Sequence, residues 1–281
     1  MIYKNEQFDR ERALYGICGA TVDGCAFEGE GDGESALKEC KDITVRSSRF
    51  ALRYPLWHTE NARLTDCVMT EACRAPLWYA KGIVAEGLRL TGVKAVRECV
   101  DVTVTGSHME SEEFGWLSRD IRIADSELSG AYAFFHSKGL ILDGVRFSGK
   151  YSFQYVENAE IRNCVLKTKD AFWHAKNVRV YDSVVDGEYL GWYSENLHLV
   201  RCRITGTQPL CYAKGLILED CVMEGTDLAF EKSEVEASVK GKILSIKAPA
   251  SGRIVCDGYG EVLMEDNGQA GNAQIIVREN G

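Results

Sequence analysis

The sequence predicts an all-β protein, a single-stranded, right-handed parallel β-helix (solenoid) built from 19-residue coils. Two observations support this prediction: one short repeat covers most of the chain, and aliphatic side chains recur in it as columns. Coils of this length do not fit a left-handed hexapeptide helix, whose coil would hold about three six-residue units. Three segments align without gaps at spacings that are multiples of 19, namely KGIVAEGLRLTG from Lys81, KGLILDGVRFSG from Lys138 and KGLILEDCVMEG from Lys214.

The first strand of each coil is predicted by two aliphatic columns on either side of a mostly polar position. This alternation is typical of a strand with one buried face. Leu64 lies 21 residues before Ala85, so we expect a two-residue insertion around residues 71–74. The main aliphatic column contains Val45, Leu64, Ala85, Val104, Ile123, Leu142, Ile161, Val180, Leu199, Leu218 and Ala237.

A second inward-facing strand follows in each coil. Cys67, Cys164, Cys202 and Cys221 share one of its columns with serines, so we predict buried, inert thiols. A third strand is predicted before these two, in the segments PLWH, PLWY, AVRE, FGWL, AFFH, SFQY, AFWH, LGWY, PLCY and LAFE. We therefore expect three short strands per coil and about ten coils over residues 45–237, because each coil buries its inner face by stacking. Residues 1–44 should form an N-terminal cap with a first irregular coil, and residues 238–281 a C-terminal cap with a strand extension.

Two polar columns predict the turns and edges of the coil. One contains only Gly, Asn and Asp, which tolerate the left-handed backbone, and its stacked Asn side chains can hydrogen-bond between coils. The preceding column alternates Lys and Glu, which predicts ion pairs along a solvated edge. The turn column contains Asn61, Gly82, Asp101, Asp120, Gly139, Asn158, Asn177, Asn196 and Gly215.

The composition limits the classes of partner and compartment. The formal net charge of −9 disfavours nucleic acid and anionic membranes, since both attract basic surfaces. No stretch approaches the roughly 18 apolar residues of a membrane span, and no apolar signal segment follows Met1. Eleven cysteines without CxxC spacing favour reduced thiols in the cytoplasm. The sequence shows no metal-ligand spacing, and we expect no metal and no cofactor.

Seven segments carry a resemblance to a known family: RERALYG from Arg10, GESALKEC from Gly33, RYPLWH from Arg53, DAFWHAKNVRVYDS from Asp170, GEYLGWYSENL from Gly187, PLCY from Pro209 and APASGRI from Ala248. They resemble the bacterial family of domain of unknown function 3737 over nearly the whole chain. The resemblance implies a branch of the pectin lyase-like β-helix superfamily, which supports the right-handed choice. This chain has Arg10-Glu11-Arg12 where the family pattern has Gly-Glu-Arg, a small departure in the cap. The family's activity is not established, so the resemblance implies no catalytic residue.

The predicted third strand carries the candidate ligand-binding surface. Strand alternation sends its Trp column inward, beside small residues such as Ala171, and its His/Tyr column outward together with Leu56 and Phe172. A one-residue error would expose the Trp column instead. An outward row of rings suits an elongated sugar, and packing in a core or against a second copy of this chain is the alternative. The candidate ligand-binding residues are His58, Tyr79, His136, Tyr155, His174, Tyr193 and Tyr212.

One irregular coil, residues 94–116, carries the candidate catalytic residues Arg97, Glu98 and Glu113. Arg97 and Glu98 stand where other coils have aromatic rings, and we expect Arg97 to point inward to a partner and Glu98 to the opposite face. Glycoside hydrolysis needs two carboxyl groups roughly 5–10 Å apart. Glu98 and Glu231 share the outward column but lie seven coils apart, so they cannot cooperate. A salt bridge that stabilises this misfit coil is the alternative to catalysis.

These patterns favour a non-catalytic binding or scaffold protein that presents an aromatic strip to a glycan or a protein partner. The competing class is a pectin lyase-like polysaccharide hydrolase or lyase. No recognisable catalytic motif decides between them, and neither the ligand nor the oligomeric state follows from the sequence.

Overall fold

The computed structural model describes residues 1–30 and 33–279, and it consists almost entirely of short parallel strands. It divides into two units, Met1–Ile141 and Leu142–Gly281. Each unit stacks its coils in parallel, which confirms the predicted all-β parallel solenoid. The described residues contain one 3-10 helix, Glu71–Cys73, and no α-helix. No helix in them has the length and hydropathy of a membrane span.

Among the described residues, the first unit contains fourteen complete strands, and the fifteenth strand contains the boundary between the units. They are β1 (Ile2–Lys4), β2 (Gln7–Phe8), β3 (Thr21–Asp23), β4 (Ala26–Phe27), β5 (Lys41–Arg46), β6 (Arg49–Phe50), β7 (Glu60–Thr65), β8 (Val68–Met69), β9 (Lys81–Glu86), β10 (Arg89–Thr91), β11 (Val100–Thr105), β12 (His108–Glu110), β13 (Arg119–Ala124), β14 (Glu127–Gly130) and β15 (Lys138–Asp143).

The second unit contains the remaining strands. They are β16 (Arg146–Lys150), β17 (Glu157–Arg162), β18 (Val165–Lys169), β19 (Lys176–Tyr181), β20 (Val184–Asp186), β21 (Glu195–Val200), β22 (Arg203–Thr205), β23 (Leu216–Val222), β24 (Glu234–Lys240), β25 (Lys242–Lys247), β26 (Ser251–Cys256), β27 (Gly258–Leu263) and β28 (Gln274–Val277).

Equivalent strands of successive coils pair in register inside each unit. In the first unit Val104 pairs with Ile123, and in the second unit Val180 pairs with both Ile161 and Leu199. These partners are 19 residues apart. Every member of the predicted aliphatic column is buried, so the column is confirmed. Burial of this kind is the main free energy that holds one coil against the next.

The parallel ladder continues through both segments that we predicted to be caps. Val22 pairs with Tyr3 on one side and with Val45 on the other. Ile254 likewise pairs with Ala237 and Ile275. The units together hold about 14 turns, so the predicted count of about ten is too low. The spacing from Val22 to Val45 exceeds 19 residues, and such changes of coil length hide the repeat in the sequence.

The third side of the coil is a turn segment rather than the predicted third strand. Left-handed residues recur at every second position in it, for example Phe172 (φ 60°) and His174 (φ 53°). Its hydrogen bonds still join coils: the Phe172 N–H donates to the Ser152 carbonyl at 3.2 Å and the His174 N–H to the Trp192 carbonyl at 3.0 Å. A coil therefore has two strands and one turn segment that bonds to its neighbours as a strand would.

The predicted turn column is confirmed. All nine of its members adopt the left-handed conformation, with φ between 54° and 70°. Asparagine amides bond from coil to coil, with Asn177 Nδ2 donating to Asn158 Oδ1 at 3.2 Å and Asn196 Nδ2 to Asn177 Oδ1 at 3.0 Å. The adjacent charge column forms the expected ion pairs, such as Lys176 with Glu195 at 3.2 Å.

The predicted insertion and the predicted cysteine burial are both confirmed. Leu64 pairs directly with Ala85, and the extra residues form the 3-10 turn Glu71–Cys73. Cys67, Cys164, Cys202 and Cys221 are all buried. Burial raises the pKa of the Cys164 thiol to about 11. A thiolate is the reactive form of cysteine, so Cys164 is a packing residue.

The asparagine ladder yields a test of the turn column. Asn177→Gly removes the amide bonds but keeps the left-handed backbone, and Asn177→Ala removes the bonds and adds a strained backbone. A left-handed L-residue costs roughly 1–2 kcal/mol. We expect Asn177→Ala to lower the free energy of unfolding by about that much more than Asn177→Gly, as measured by urea denaturation. Equal stability of the two variants would contradict the left-handed conformation of Asn177.

Candidate functional site

The aromatic turn segment has a fully buried column, and it is not the Trp column that we predicted. The inward positions belong to the Leu/Phe column, while the Trp side chains are half-buried. Our prediction that the Trp column points inward is wrong, because left-handed residues such as Phe172 break the strand alternation on which it depended. The fully buried members are Leu56, Leu77, Phe134, Phe153, Phe172 and Leu210.

The His/Tyr column lies on the outer side, as expected, and its rings stack from coil to coil. In the second unit Tyr155 and His174, His174 and Tyr193, and Tyr193 and Tyr212 have ring centroids 5.0, 5.0 and 4.9 Å apart, with planes within 17° of parallel. In the first unit His58 and Tyr79 stack in the same way at 4.9 Å. We call these stacked side chains the ring row.

The ring row is interrupted in the first unit. Glu98 and Leu117 occupy the two positions after Tyr79, so no ring of the next coil stacks on that tyrosine. His136 follows Leu117 and is exposed, with its ring edge-to-face against Phe135 at a centroid distance of 4.5 Å. The structure thus stacks His58 on Tyr79 in the first unit, and it stacks Tyr155, His174, Tyr193 and Tyr212 in sequence in the second unit.

A second row of indoles supports the ring row from behind. The Trp173 and Trp192 rings stack at 5.4 Å with planes 2° apart. Their indole N–H groups donate to backbone carbonyls of the following coil, Trp173 to Tyr189 at 2.9 Å and Trp192 to Gln208 at 2.8 Å. These bonds fix the indoles, which contact the Tyr193 ring edge-to-face at centroid distances of 6.5 and 6.3 Å.

An open groove of about 500 Å³ runs along the first part of the ring row. It brings His58 and Tyr79 together with Glu98, which the sequence analysis had treated as a separate candidate. Sequence reasoning missed the other charged residues of this groove. The alternating Lys/Glu column could have revealed them, because it places charged side chains along one edge of the coils. The groove is lined by Glu39, Lys41, His58, Glu60, Tyr79, Ala80, Lys81, Glu98 and Val100.

Each carboxylate of the groove has a close partner. The Tyr15 hydroxyl donates to Glu39 Oε2 at 2.6 Å, which lowers the pKa of Glu39 and raises the pKa of Tyr15. Glu60 pairs with Lys41 at 3.2 Å. The described part of the chain has no group of three His, Cys, Asp or Glu side chains placed to hold a metal ion.

The three candidate catalytic residues form one ion-pair cluster. The Arg97 guanidinium contacts Glu113 Oε2 at 3.0 Å and Glu98 Oε1 at 3.5 Å, and it lies 5.4 Å from the centre of the Trp116 ring. Arg97 has the partner that we expected. The prediction that Arg97 and Glu98 point to opposite faces is wrong, because left-handed Val96 and Glu98 turn the two side chains toward each other. Arg97 thus joins both carboxylates, and Lys94 adds a second, longer contact to Glu113 Oε2 at 3.9 Å.

Glu231 does not lie in the outward column where we placed it. The neighbouring residues show a one-residue shift: Phe230 is fully buried like Leu210, and Lys232 takes the left-handed position of Tyr212. Glu231 is 9% exposed and pairs with Lys247 at 3.2 Å. Burial and the Glu231 charge raise the pKa of Tyr212 to about 12.

The ion-pair cluster leads to a prediction about stability. Arg97→Ala removes the closest cation from two half-buried carboxylates, and hydrogen bonds to charged groups contribute roughly 1.5–3 kcal/mol. We expect it to lower the free energy of unfolding by about that amount. Glu98→Gln breaks only the longer, more exposed contact and should cost no more than about 1 kcal/mol. A larger loss for Glu98→Gln than for Arg97→Ala in denaturant titrations would show that Arg97 does not organise the cluster.

No curated protein matches this chain. Among solved structures it is similar to PfbA, a surface adhesin of Streptococcus pneumoniae, with 7% identity over 100% of this chain and 88% of that chain and a TM-score of 0.36. It is also similar to the A-module of a mannuronan C-5 epimerase of Azotobacter vinelandii, with 12% identity over 100% and 87% of the chains and a TM-score of 0.30. A tailspike mutant of E. coli bacteriophage HK620, in complex with a hexasaccharide, shares 8% identity over 93% and 68% of the chains with a TM-score of 0.36. These values carry no argument about function. A family model described as "Protein of unknown function (DUF3737)" matches residues 1–277, and the chain belongs to that family.

Proposed function

We propose that this protein is a non-catalytic binding solenoid that holds an extended, neutral glycan along the part of the ring row that lies in the second unit. The observation that carries the proposal is the uninterrupted run of Tyr155, His174, Tyr193 and Tyr212, which offers one ring per coil. Tyr155 and Tyr193 are 38% and 42% exposed, which is unusual for large aromatic residues that also pack closely.

Stacking determines which part of each ring can contact a partner. Neighbouring rings cover the faces, so the exposed area belongs to ring edges, tyrosine hydroxyls and imidazole nitrogens. A hydroxyl both donates and accepts hydrogen bonds, and an imidazole nitrogen does one or the other. A polymer with hydroxyl groups on every unit can repeat such contacts from coil to coil. Several weak contacts on one chain then add to a useful affinity.

The groove beside His58 and Tyr79 supplies a different kind of contact. Because Glu98 follows Tyr79, no ring of the next coil covers that tyrosine, and an aromatic side chain there borders about 500 Å³ of open space. Lys41, Lys81, Glu39, Glu60 and Glu98 mix both signs of charge along this groove. Together with the net charge of −9, this mixture favours a neutral glycan over a polyanionic one.

A polysaccharide hydrolase or lyase is the second candidate, because three carboxylates line the same groove. Glycoside hydrolysis needs one carboxyl group that stays protonated as a general acid, which requires a raised pKa. The Tyr15 hydroxyl lowers the pKa of Glu39 instead. Glu60 pairs with Lys41, and Glu98 pairs with Arg97. Each of the three carboxylates is therefore engaged by a protein partner, so binding is the better-supported function.

The proposal predicts the behaviour of hydroxyl-deletion variants on an array of neutral linear glycans. Tyr155→Phe and Tyr193→Phe keep the stacked rings and remove two exposed hydroxyls. We expect the double variant to weaken glycan binding at least about fivefold, because each lost hydrogen bond contributes roughly 0.5–1.5 kcal/mol. Tyr181→Phe is the matched control, since Tyr181 lies in β19 under the Arg162 guanidinium and outside the ring row.

Three results would contradict the proposal. The first is the absence of binding to any glycan, and the second is equal binding by the double variant and the control. The third is release of new sugar ends in a reaction that Glu98→Gln abolishes, which would establish the enzyme. A dimer in solution that the double variant dissociates would instead identify the ring row as a contact between copies of this chain.

A further inference from the structure

A small cavity of about 150 Å³ lies beside the two-residue insertion of the first unit. Its walls combine aromatic and aliphatic surface with two basic side chains, both exposed. The insertion supplies Arg74, a left-handed residue whose carbonyl accepts the N–H groups of both Val93 and Lys94. The insertion is therefore bonded to the next coil, and the cavity belongs to this local irregularity. It is lined by Tyr54, Arg74, Ala75, Trp78, Val93 and Lys94.

The regular coils show what the indole of Trp78 would normally do. Trp116, Trp173 and Trp192 each donate their indole N–H to the backbone carbonyl 16 residues later. The equivalent carbonyl for Trp78 belongs to Lys94, which lines the cavity, and this bond does not form. Within the described residues the Nε1 atoms of Trp57 and Trp78 are buried and contact no protein acceptor. A buried donor without an acceptor costs roughly 1–3 kcal/mol.

The chemistry of the walls selects a class of ligand. A cavity of this size holds a molecule of about six non-hydrogen atoms. Tyr54, Ala75, Val93 and the indole ring suit an apolar body, while Arg74 and Lys94 suit a negative charge. One buried N–H can satisfy one acceptor of a carboxylate, but it leaves most oxygens of a phosphate without donors.

We propose that this cavity binds a short-chain carboxylate, with an oxygen of the ligand accepting the Trp78 indole N–H. Arg74 balances the charge of the ligand at the cavity, because Lys94 already lies 3.9 Å from Glu113 Oε2. The Trp78 ring also stacks on Tyr79 of the ring row, with centroids 5.3 Å apart, but carboxylate binding does not depend on the glycan proposal.

The test uses the full chain and the probes butanoate, inorganic phosphate and the neutral analogue butanamide. The chain has five tryptophans, so an 15N–1H correlation spectrum reports five indole N–H groups, which Trp→Phe variants assign. We expect butanoate to shift the Trp78 signal saturably and to leave the Trp173 and Trp192 signals unchanged. In calorimetry, Trp78→Phe should weaken butanoate binding at least tenfold, and the matched control Trp192→Phe should bind as the wild type does.

Arg74→Gln provides a second variant that leaves the indole in place. It should fold as the wild type does, because the Arg74 side chain is exposed. It should also weaken butanoate binding several-fold and leave the weak binding of butanamide unchanged. Equal affinity of Trp78→Phe and Trp192→Phe for butanoate would overturn the proposal. So would tighter binding of phosphate than of butanoate, equal binding of butanamide and butanoate, or no response to any probe, which would mean that the cavity holds water only.

Discussion

The parallel stacking of each coil on the next is the interaction on which the rest of the structure depends. A coil has no core of its own: Val180 is buried because Ile161 lies on one side of it and Leu199 on the other. Hydrogen bonds between coils join all three sides, including the turn segment that is not a strand. Any residue type that repeats at the coil spacing therefore becomes a continuous column, whether in the core, at a turn or on the surface.

The candidate sites follow from this constraint in two opposite ways. The ring row exists because the register is kept, so that Tyr155, His174 and Tyr193 fall above one another with centroids 5.0 Å apart. The cavity lies beside the two extra residues of one coil, and Trp78 in its wall lacks the carbonyl bond made by equivalent indoles. Strict repetition produces an extended surface for a polymer, and a local break in it produces a pocket for a small molecule.

The sequence predicted those features whose residue types report directly on their environment. Aliphatic residues recur at buried positions, and Gly, Asn and Asp recur where the backbone is left-handed, so both columns were read correctly. The column of the aromatic segment that points inward was predicted wrongly. Phe134 and Phe172 adopt the left-handed conformation, but their bulky side chains give no sign of it in the sequence. Glu231 was misplaced by a one-residue shift, and the number of coils was predicted too low because the lengths of the terminal coils depart from the repeat.

Methyl–methyl nuclear Overhauser effects from Val180 test the central claim most directly. The account predicts contacts from the Val180 methyl groups to those of Ile161 and of Leu199, one coil away on each side, in protein with labelled Ile, Leu and Val methyl groups. Parallel neighbours in a sheet lie about 4.8 Å apart, which is within range of the effect. Contacts from Val180 to residues at other sequence separations, with none to Ile161 or Leu199, would contradict the stacked register and everything derived from it.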